Sequence, residues 1–351
     1  MSQSRPAEQG RRGGIRALWA LASLLAGGCA VREAARPVGV ERARYLMGTI
    51  LTATAEAPDS TRAARVLAHS LDEIARLENV MSSWRKDSEL SRLNRAAGSA
   101  FRCSQDLYAV LDSALAIARA TSGAFDPTVE PLDRIWDLRG KGRVPSPREI
   151  AVARSRVAWS RLTLDPARHV ARLATPGMGV DLGGIGKGFA LDRAARLLAA
   201  EGIERALLNL GGEVLALSPK GRPWPIAVAH PNDRLRPAVR IAIAQGAVST
   251  SGQGVRGVTV RGKHLGHILD PSSGRPLDTQ ATVTVVAPSA TRADGLSTAL
   301  LVMGRERALA LARRHQEIGV LWIEPDHGLL RAWKWNLSAI AEPGVAIRWM
   351  N

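Results

Sequence analysis

Apolar and polar positions alternate between residues 47 and 56, with several Thr, and this predicts an opening strand. From 61 to 79 Ala, Val, Leu and Ile recur at helical spacing, with Asp59 or Ser60 as the cap. The segment 81–94 is polar and irregular around Trp84, a pattern that suits a lid or a binding loop. A second apolar-periodic helix is predicted over 106–121, closed by Ser122-Gly123. Residues 123–148, rich in Gly, Pro and Asp around Trp136, read as a long irregular loop, and such loops are more often functional than idle. Further on, helices are predicted over 189–201, 290–303 and 306–315. Strands are predicted in a pair over 207–217 and at 225–229, 239–244, 257–260, 281–286, 318–322, 330–335 and 345–349. These elements mix without a regular βαβ rhythm, so the fold class is α+β rather than a doubly wound sheet.

Composition narrows the classes. The chain of 351 residues is 46% hydrophobic and 23% charged, enough apolar material for a real core and for one large or two modest domains. Two Cys, 29 and 103, exclude a disulfide scaffold, and no Cys/His cluster has zinc spacing. Internally, no run approaches the roughly 20 apolar residues of a membrane span.

The N-terminus has a different character. Arg5, Arg11, Arg12 and Arg16 precede an apolar run over 17–26 that ends in Gly27-Gly28-Cys29, the parts of an export signal. Small residues directly before Cys29 make the segment resemble a bacterial lipoprotein signal with lipidation at that Cys, although Ala26 takes the position where Leu is usual. Arg11-Arg12 also suits a twin-arginine signal. The expected organisation is an export signal over 1–28, a linker over 29–44 and one domain over 45–351, on a periplasm-facing, lipid-anchored protein. The net charge of +16 falls only to about +13 without residues 1–28, which suits an anionic membrane surface or a phosphate-bearing ligand. Nucleic acid is disfavoured, because Arg is scattered through helical segments with few aromatics between.

Candidate chemistry concentrates in a few segments. Asp181-Leu182-Gly183-Gly184-Ile185-Gly186-Lys187-Gly188 leads directly into a helix, where glycines let backbone amides approach an anion and the helix N-terminus adds donors. It matches neither familiar nucleotide fingerprint, and the reading is divided between a ligand loop and a tight structural turn. Asn209-Leu210-Gly211-Gly212-Glu213 is a second Gly-rich turn. His267-Ile268-Leu269-Asp270-Pro271 sets an imidazole and a carboxylate at a strand end, where His267 can stack on a ligand, move a proton or simply satisfy a turn. Asp294 and Thr298 stand four residues apart on one helix face, so both oxygens can point at one cation. Two oxygens do not complete six ligands. Phosphate, water or a backbone carbonyl must supply the rest, which ties this helix to an anion loop such as 181–188.

These blocks occur together with Met47-Gly48-Thr49, Asp87-Ser88-Glu89-Leu90-Ser91-Arg92-Leu93-Asn94 and Gly123-Ala124-Phe125-Asp126-Pro127-Thr128. In that order, over about residues 45–304, they resemble the ApbE family, the FAD:protein FMN transferases. The resemblance implies a T-fold-like α+β core and an exported or membrane-anchored enzyme that binds FAD with Mg²⁺. It implies transfer of FMN to a Thr or Ser hydroxyl of an exported or membrane flavoprotein, with release of AMP. By the same resemblance, Asp294, Thr298 and the Gly184 carbonyl hold the metal, and His267, Asp270 and Lys187 serve the reaction. The FAD-binding set it implies is Met47, Gly48, Thr49, Trp84, Asp126, Asp181, Gly183, Gly184, Lys187, Gly211 and His267. Trp84 stands where the family often has Tyr, keeping the π-face and losing the phenol. Residues 253–257 replace the family's aromatic-rich stretch, and Gly184 and Gly186 stand where Ala or Ser are common. Two alternatives remain: FAD pyrophosphatase activity, with water replacing the acceptor, and a non-catalytic periplasmic FAD-binding lipoprotein.

Overall fold

Residues 38–350, apart from 139, 219–220 and 254–256, are described by a computed structural model. A hairpin of β1 (Val38–Leu46) and β2 (Thr49–Ala57) is followed by α1 (Ser60–Met81) and α2 (Glu89–Arg95). Next come β3 (Ala100–Arg102), α3 (Gln105–Ala120), α4 (Glu130–Trp136), α5 (Pro147–Arg154), β4 (Leu162–Asp165) and β5 (Val170–Leu173). Helix α6 (Gly186–Ala200) precedes β6 (Arg205–Leu210), β7 (Glu213–Leu217), β8 (Trp224–His230), β9 (Asp233–Ile243) and β10 (Gly246–Gly252). Short ribbons β11 (Gly257–Val260) with β12 (Lys263–Gly266) and β13 (Leu269–Asp270) with β14 (Arg275–Pro276) lead to β15 (Thr282–Ala287). The chain ends with α7 (Ala290–Met303), α8 (Arg305–Arg314), β16 (Gly319–Asp326), β17 (Leu329–Trp335), β18 (Ala339–Ala341) and β19 (Ile347–Met350).

The central sheet has nine strands in the order β1-β2-β6-β7-β10-β15-β16-β17-β19, antiparallel except for the last pair. Strand periodicity assigns its two faces. Leu51, Ala53 and Ala55 of β2, Leu215 of β7 and Val320 of β16 join the core beneath the helices. Their neighbours Val214, Ala216 and Leu321 face a second core, shared with Val228 and Ile241 of the three-stranded sheet β18-β9-β8. The amphipathic face of α1, with Ala63, Val66, Leu67, Leu71, Ile74 and Leu77 buried, completes the first core. Its N-cap is Asp59, which accepts from the amides of Thr61 and Arg62.

Several boundaries differ from the sequence expectation. Residues 38–44, expected as linker, belong to β1, an edge strand whose exposed charges hide its pairing from the hydrophobic pattern. Met47-Gly48 is the two-residue turn after β1 rather than the start of a strand, and both residues have positive φ. Helix α6 starts at Gly186, so the end of the glycine-rich segment is already helical. The polar segment 81–94 contains α2, and the stretch 123–148 contains α4. The predicted export signal and Cys29 lie outside the described residues. No described helix is long and apolar enough to cross a membrane.

Candidate active site

The N-terminus of α6 meets the first turns of α7 at a contact that only glycine permits. A Cβ on Gly188 would lie 2.1 Å from the Ala290 carbonyl oxygen. The helices are also tied by side chains. The Gly188 amide donates to Asp294 Oδ2 at 3.0 Å, and Asp192 caps α7 by accepting from the Ala290 and Thr291 amides at 2.8 and 2.9 Å. Asp294 is thereby held, almost fully buried, against the end of the glycine-rich segment.

Lys187 points into the same place. Its Nζ is 3.6 Å from Asp294 Oδ1 and 3.3 Å from Glu213 Oε1, and it donates to the Gly183 carbonyl at 3.4 Å. With only 12% of its side chain exposed, this ammonium sits between two buried carboxylates. One helical turn beyond Asp294, the Thr298 hydroxyl lies 3.4 Å from Ser251 Oγ of β10. A Cβ on Gly184 would come within 3.1 Å of Thr298 Oγ1 and 3.2 Å of Phe125 Cε2, so this glycine lets the loop close on α7. Ser297 bonds Ser249 at 3.0 Å and Ser251 at 2.8 Å, fixing the rotation of α7 on β10.

Two hairpin turns approach the same end of the sheet. Strands β2 and β6 pair with Leu51 opposite Leu210, which places the Met47-Gly48 turn beside Gly211-Gly212. Gly211 and Gly212 both have positive φ, and a Cβ on Gly211 would strike Thr49 Oγ1 at 2.6 Å. The Met47 side chain reaches the start of α6, its Cε lying 3.7 Å from where a Gly186 Cβ would stand.

The other limb of the glycine-rich segment borders a cavity of about 250 Å³ that includes Ser83, Trp84, Asn94, Arg134 and Asp181 in its lining. Trp84, at the edge of this cavity, is 65% exposed. Asp181 accepts from the Ser83 hydroxyl at 3.0 Å and from the Gly183 amide at 2.9 Å, which sets the entry to the loop. Asn94 clamps the preceding residue by accepting from the Val180 amide and donating to its carbonyl, at 2.8 and 2.9 Å.

Asp126 and Asp270 are engaged within their own turns. The Asp126 carboxylate accepts from the Thr128 amide and hydroxyl and from the Trp159 amide. Burial pushes its pKa up against these bonds. It therefore shapes its loop. Asp270 accepts from the Ser272 amide and hydroxyl and pairs in register with Arg275. Burial raises its pKa, but the bonds from Ser272 and Ser273 outweigh it and hold the carboxyl below the ordinary aspartate value. These bonds fix the turn that follows β13. His267 is half-buried between β12 and β13. Its neighbour Ile268 is anchored by the buried Gln253, which accepts from the Ile268 amide and donates to the Ile268 carbonyl.

The structure thus brings Lys187, Gly184, Asp294 and Thr298 together, with Met47, Thr49 and Gly211 at the adjoining turns and Trp84 with Asp181 at the cavity. Sequence reasoning gave no role to Glu213, Asn94, Ser251, Asp192 or Gln253. Glu213, Asn94 and Gln253 lie inside segments it had singled out, whereas Ser251 and Asp192 have no local signal.

The ApbE family model matches residues 47–322. The chain belongs to the ApbE family. Over 297 residues it is 32% identical to the FAD:protein FMN transferase of Salmonella typhimurium, covering 82% of this chain and 85% of that protein. It is 33% identical over 323 residues to the FAD:protein FMN transferase of Treponema pallidum, covering 86% and 88%. Among solved structures, the ApbE protein of Thermotoga maritima superposes with a TM-score of 0.75 at 31% identity, covering 81% of this chain and 94% of that one. The flavin transferase ApbE of Vibrio cholerae gives 0.73 at 32% identity, covering 85% and 97%. The α+β architecture is accordingly that of the flavin transferases, and this ApbE chain is an enzyme of a family whose activity is transfer of FMN from FAD to a protein acceptor.

Proposed function

We propose that this chain cleaves the pyrophosphate of FAD with Mg²⁺ bound, esterifies FMN onto a Thr or Ser hydroxyl of an exported flavoprotein, and releases AMP. The observation that carries the reading is the convergence of Asp294, Thr298 and the 183–188 segment on the start of α6. Among the described residues no cluster of His, Cys, Asp and Glu could hold a metal by itself. Asp294 and Thr298 stand one turn apart on α7 and Gly184 packs against Thr298, and a carboxylate, a hydroxyl and a main-chain carbonyl would form a hard set that suits Mg²⁺ with phosphate and water completing its shell. Asp294, Thr298 and the Gly184 carbonyl would hold the ion. Bound there, it supplies charge neutralisation for a pyrophosphate whose bridging bond breaks.

The remaining work falls to residues of the chain. Lys187 brings positive charge beside Asp294 and offers an N–H to a phosphate oxygen. The flavin is assigned to the cavity that Trp84 and Asp181 line, with Met47 and His267 added by the family resemblance. Alignment of the acceptor hydroxyl with the phosphorus supplies much of the rate, because phosphoryl chemistry depends on positioning more than on a strong nucleophile. The basic signal and Gly27-Gly28-Cys29 support export and a lipid anchor at Cys29, which places the acceptor at the periplasmic face of a membrane.

The test is the intact mass of a Thr-containing flavoprotein acceptor incubated with residues 30–351, FAD and Mg²⁺. The expected result is a gain of one esterified FMN, abolished by EDTA and by Asp294→Asn, a change that keeps an acceptor for the Gly188 amide. Conversion of FAD to FMN and AMP without acceptor labelling would replace the transferase reading with a hydrolase. Undiminished labelling by folded Asp294→Asn would remove the metal assignment.

A further inference from the structure

A second and larger cavity, of about 540 Å³, opens between α3, α6, α7 and α8. Its size is that of a small-molecule site, within the usual range of about 300–1,000 Å³. Carbon dominates its walls: Ala116 and Ile117 from α3, Phe189 from α6, Leu296 from α7 and Leu311 from α8. Three guanidinium groups, of Arg193, Arg196 and Arg292, also line it.

Those cations are not equivalent. Arg193 is paired with Asp106 at 2.9 Å and lies 3.8 Å from Glu73, and both carboxylates are also met by Arg76. Arg292 is paired with Glu317, which His315 also contacts at 3.1 Å. Arg196 differs: it donates Nε to the Asp192 carbonyl, and among the described residues no carboxylate pairs with it. The Asp192 carboxylate below it is committed to the amides at the N-terminus of α7. The cavity therefore offers apolar walls with one exposed guanidinium, Arg196, that pairs with no carboxylate among the described residues, and two that are held in ion pairs. That arrangement complements an apolar chain ending in a single negative charge.

We propose that this cavity is a binding site for a medium-chain monocarboxylate, with the carboxylate on Arg196 and the hydrocarbon on Ile117, Phe189 and Leu296. The site is coupled to the reaction centre by construction. Phe189 follows Gly188, and Leu296 lies between Asp294 and Thr298, so a ligand wedged between α6 and α7 bears on the contact at Gly188 and Ala290. Occupancy changes the transfer rate through that joint. Only this second statement rests on the proposed reaction; the binding itself does not.

Decanoate is the probe, titrated by calorimetry into residues 30–351 below its micellar range, with decanol as the uncharged analogue. Saturable binding of decanoate is expected, at least tenfold tighter than decanol and weakened about tenfold by Arg196→Gln, the scale of a lost charge-assisted bond. Ala116→Phe, a change at an exposed helical position on the wall, is expected to block binding while leaving the melting temperature intact. Absence of saturable binding, equal binding of decanol, or unaltered binding by Arg196→Gln would each overturn the site. FMN transfer is then measured with and without decanoate. A change in rate that disappears in Ala116→Phe supports the coupling, and a rate unmoved at saturating decanoate overturns it while leaving the bound site in place.

Discussion

Gly188→Ala separates local propensity from tertiary contact, because the two predict opposite signs. Residue 188 is helical, and replacing Gly by Ala inside a helix ordinarily stabilises by about 1 kcal/mol. Here the added methyl would lie 2.1 Å from the Ala290 oxygen and 2.5 Å from its carbonyl carbon, both backbone atoms of the neighbouring helix. Relief requires α6 and α7 to part by roughly 1 Å, since ordinary contact begins near 3.4 Å. Overpacking of this kind costs about 1–3 kcal/mol, and loss of the Gly188 amide bond to the Asp294 carboxylate adds about 1.5–3 kcal/mol. After the propensity gain, a net loss of about 1.5–5 kcal/mol remains, a large part of a total stability of about 5–15 kcal/mol. In a domain of this size that lowers the melting temperature by roughly 2–8 °C. Transfer activity falls with it, because Asp294 loses its positioning bond. The matched control is Gly186→Ala in the same helix, where a Cβ would meet nothing closer than Met47 Cε at 3.7 Å, so its melting temperature should hold or rise. Thermal unfolding of both variants by circular dichroism decides the matter. A Gly188→Ala protein as stable as the parent would refute the α6–α7 contact.

Lys187→Met leaves Glu213 and Asp294 without the ammonium they share, and a loss of about 3 kcal/mol in urea unfolding is expected, partly recovered by adding Glu213→Gln. An unchanged urea midpoint would show that this ion pair contributes nothing. Asp270 has a folded pKa below the ordinary aspartate value, so its stabilising contribution is complete above the unfolded pKa and is lost as pH falls through the folded one. Asp270→Asn should therefore flatten the acid limb of the melting temperature profile below about pH 4, and a limb identical to the parent's would contradict the turn assignment. Burial, with Glu89 nearby, pushes the Cys103 thiol up to about 11. In a Cys29→Ser background Cys103 should resist a thiol reagent at pH 8 and react only on unfolding, whereas rapid native-state labelling would place it outside the core.

Much of the fold was legible because its signals are local. The face of α1 is written at helical spacing through Ala63, Val66, Leu67 and Ile74, with Asp59 as its cap. Strand alternation was equally readable in β15 and β16, whose residues divide between two cores. Strand β1 escaped because edge position, not hydrophobicity, defines it: its partner lies on one side only, and Arg42, Arg44 and Tyr45 face solvent. Helix α4 was hidden by its setting among Gly, Pro and Asp, although Pro131 in its first turn is a favourable start.

The active site divides along the same line. Individual motifs carried Asp294, Thr298 and Lys187, because glycines before a helix and oxygens four apart are patterns within one segment. What no segment contains is the meeting of Gly188 with Asp294, residues separated by 106 positions. That meeting explains why the motif ends in glycine after the lysine, where a phosphate-binding P-loop has a hydroxyl residue. The hydroxyl of a P-loop lies on the same helix as its lysine. In the site proposed above, an oxygen for the ion would come instead from Thr298 on α7, and a side chain at 188 would hold that helix away. Gly188 is thus the condition under which α7 can bring Asp294 against the start of α6.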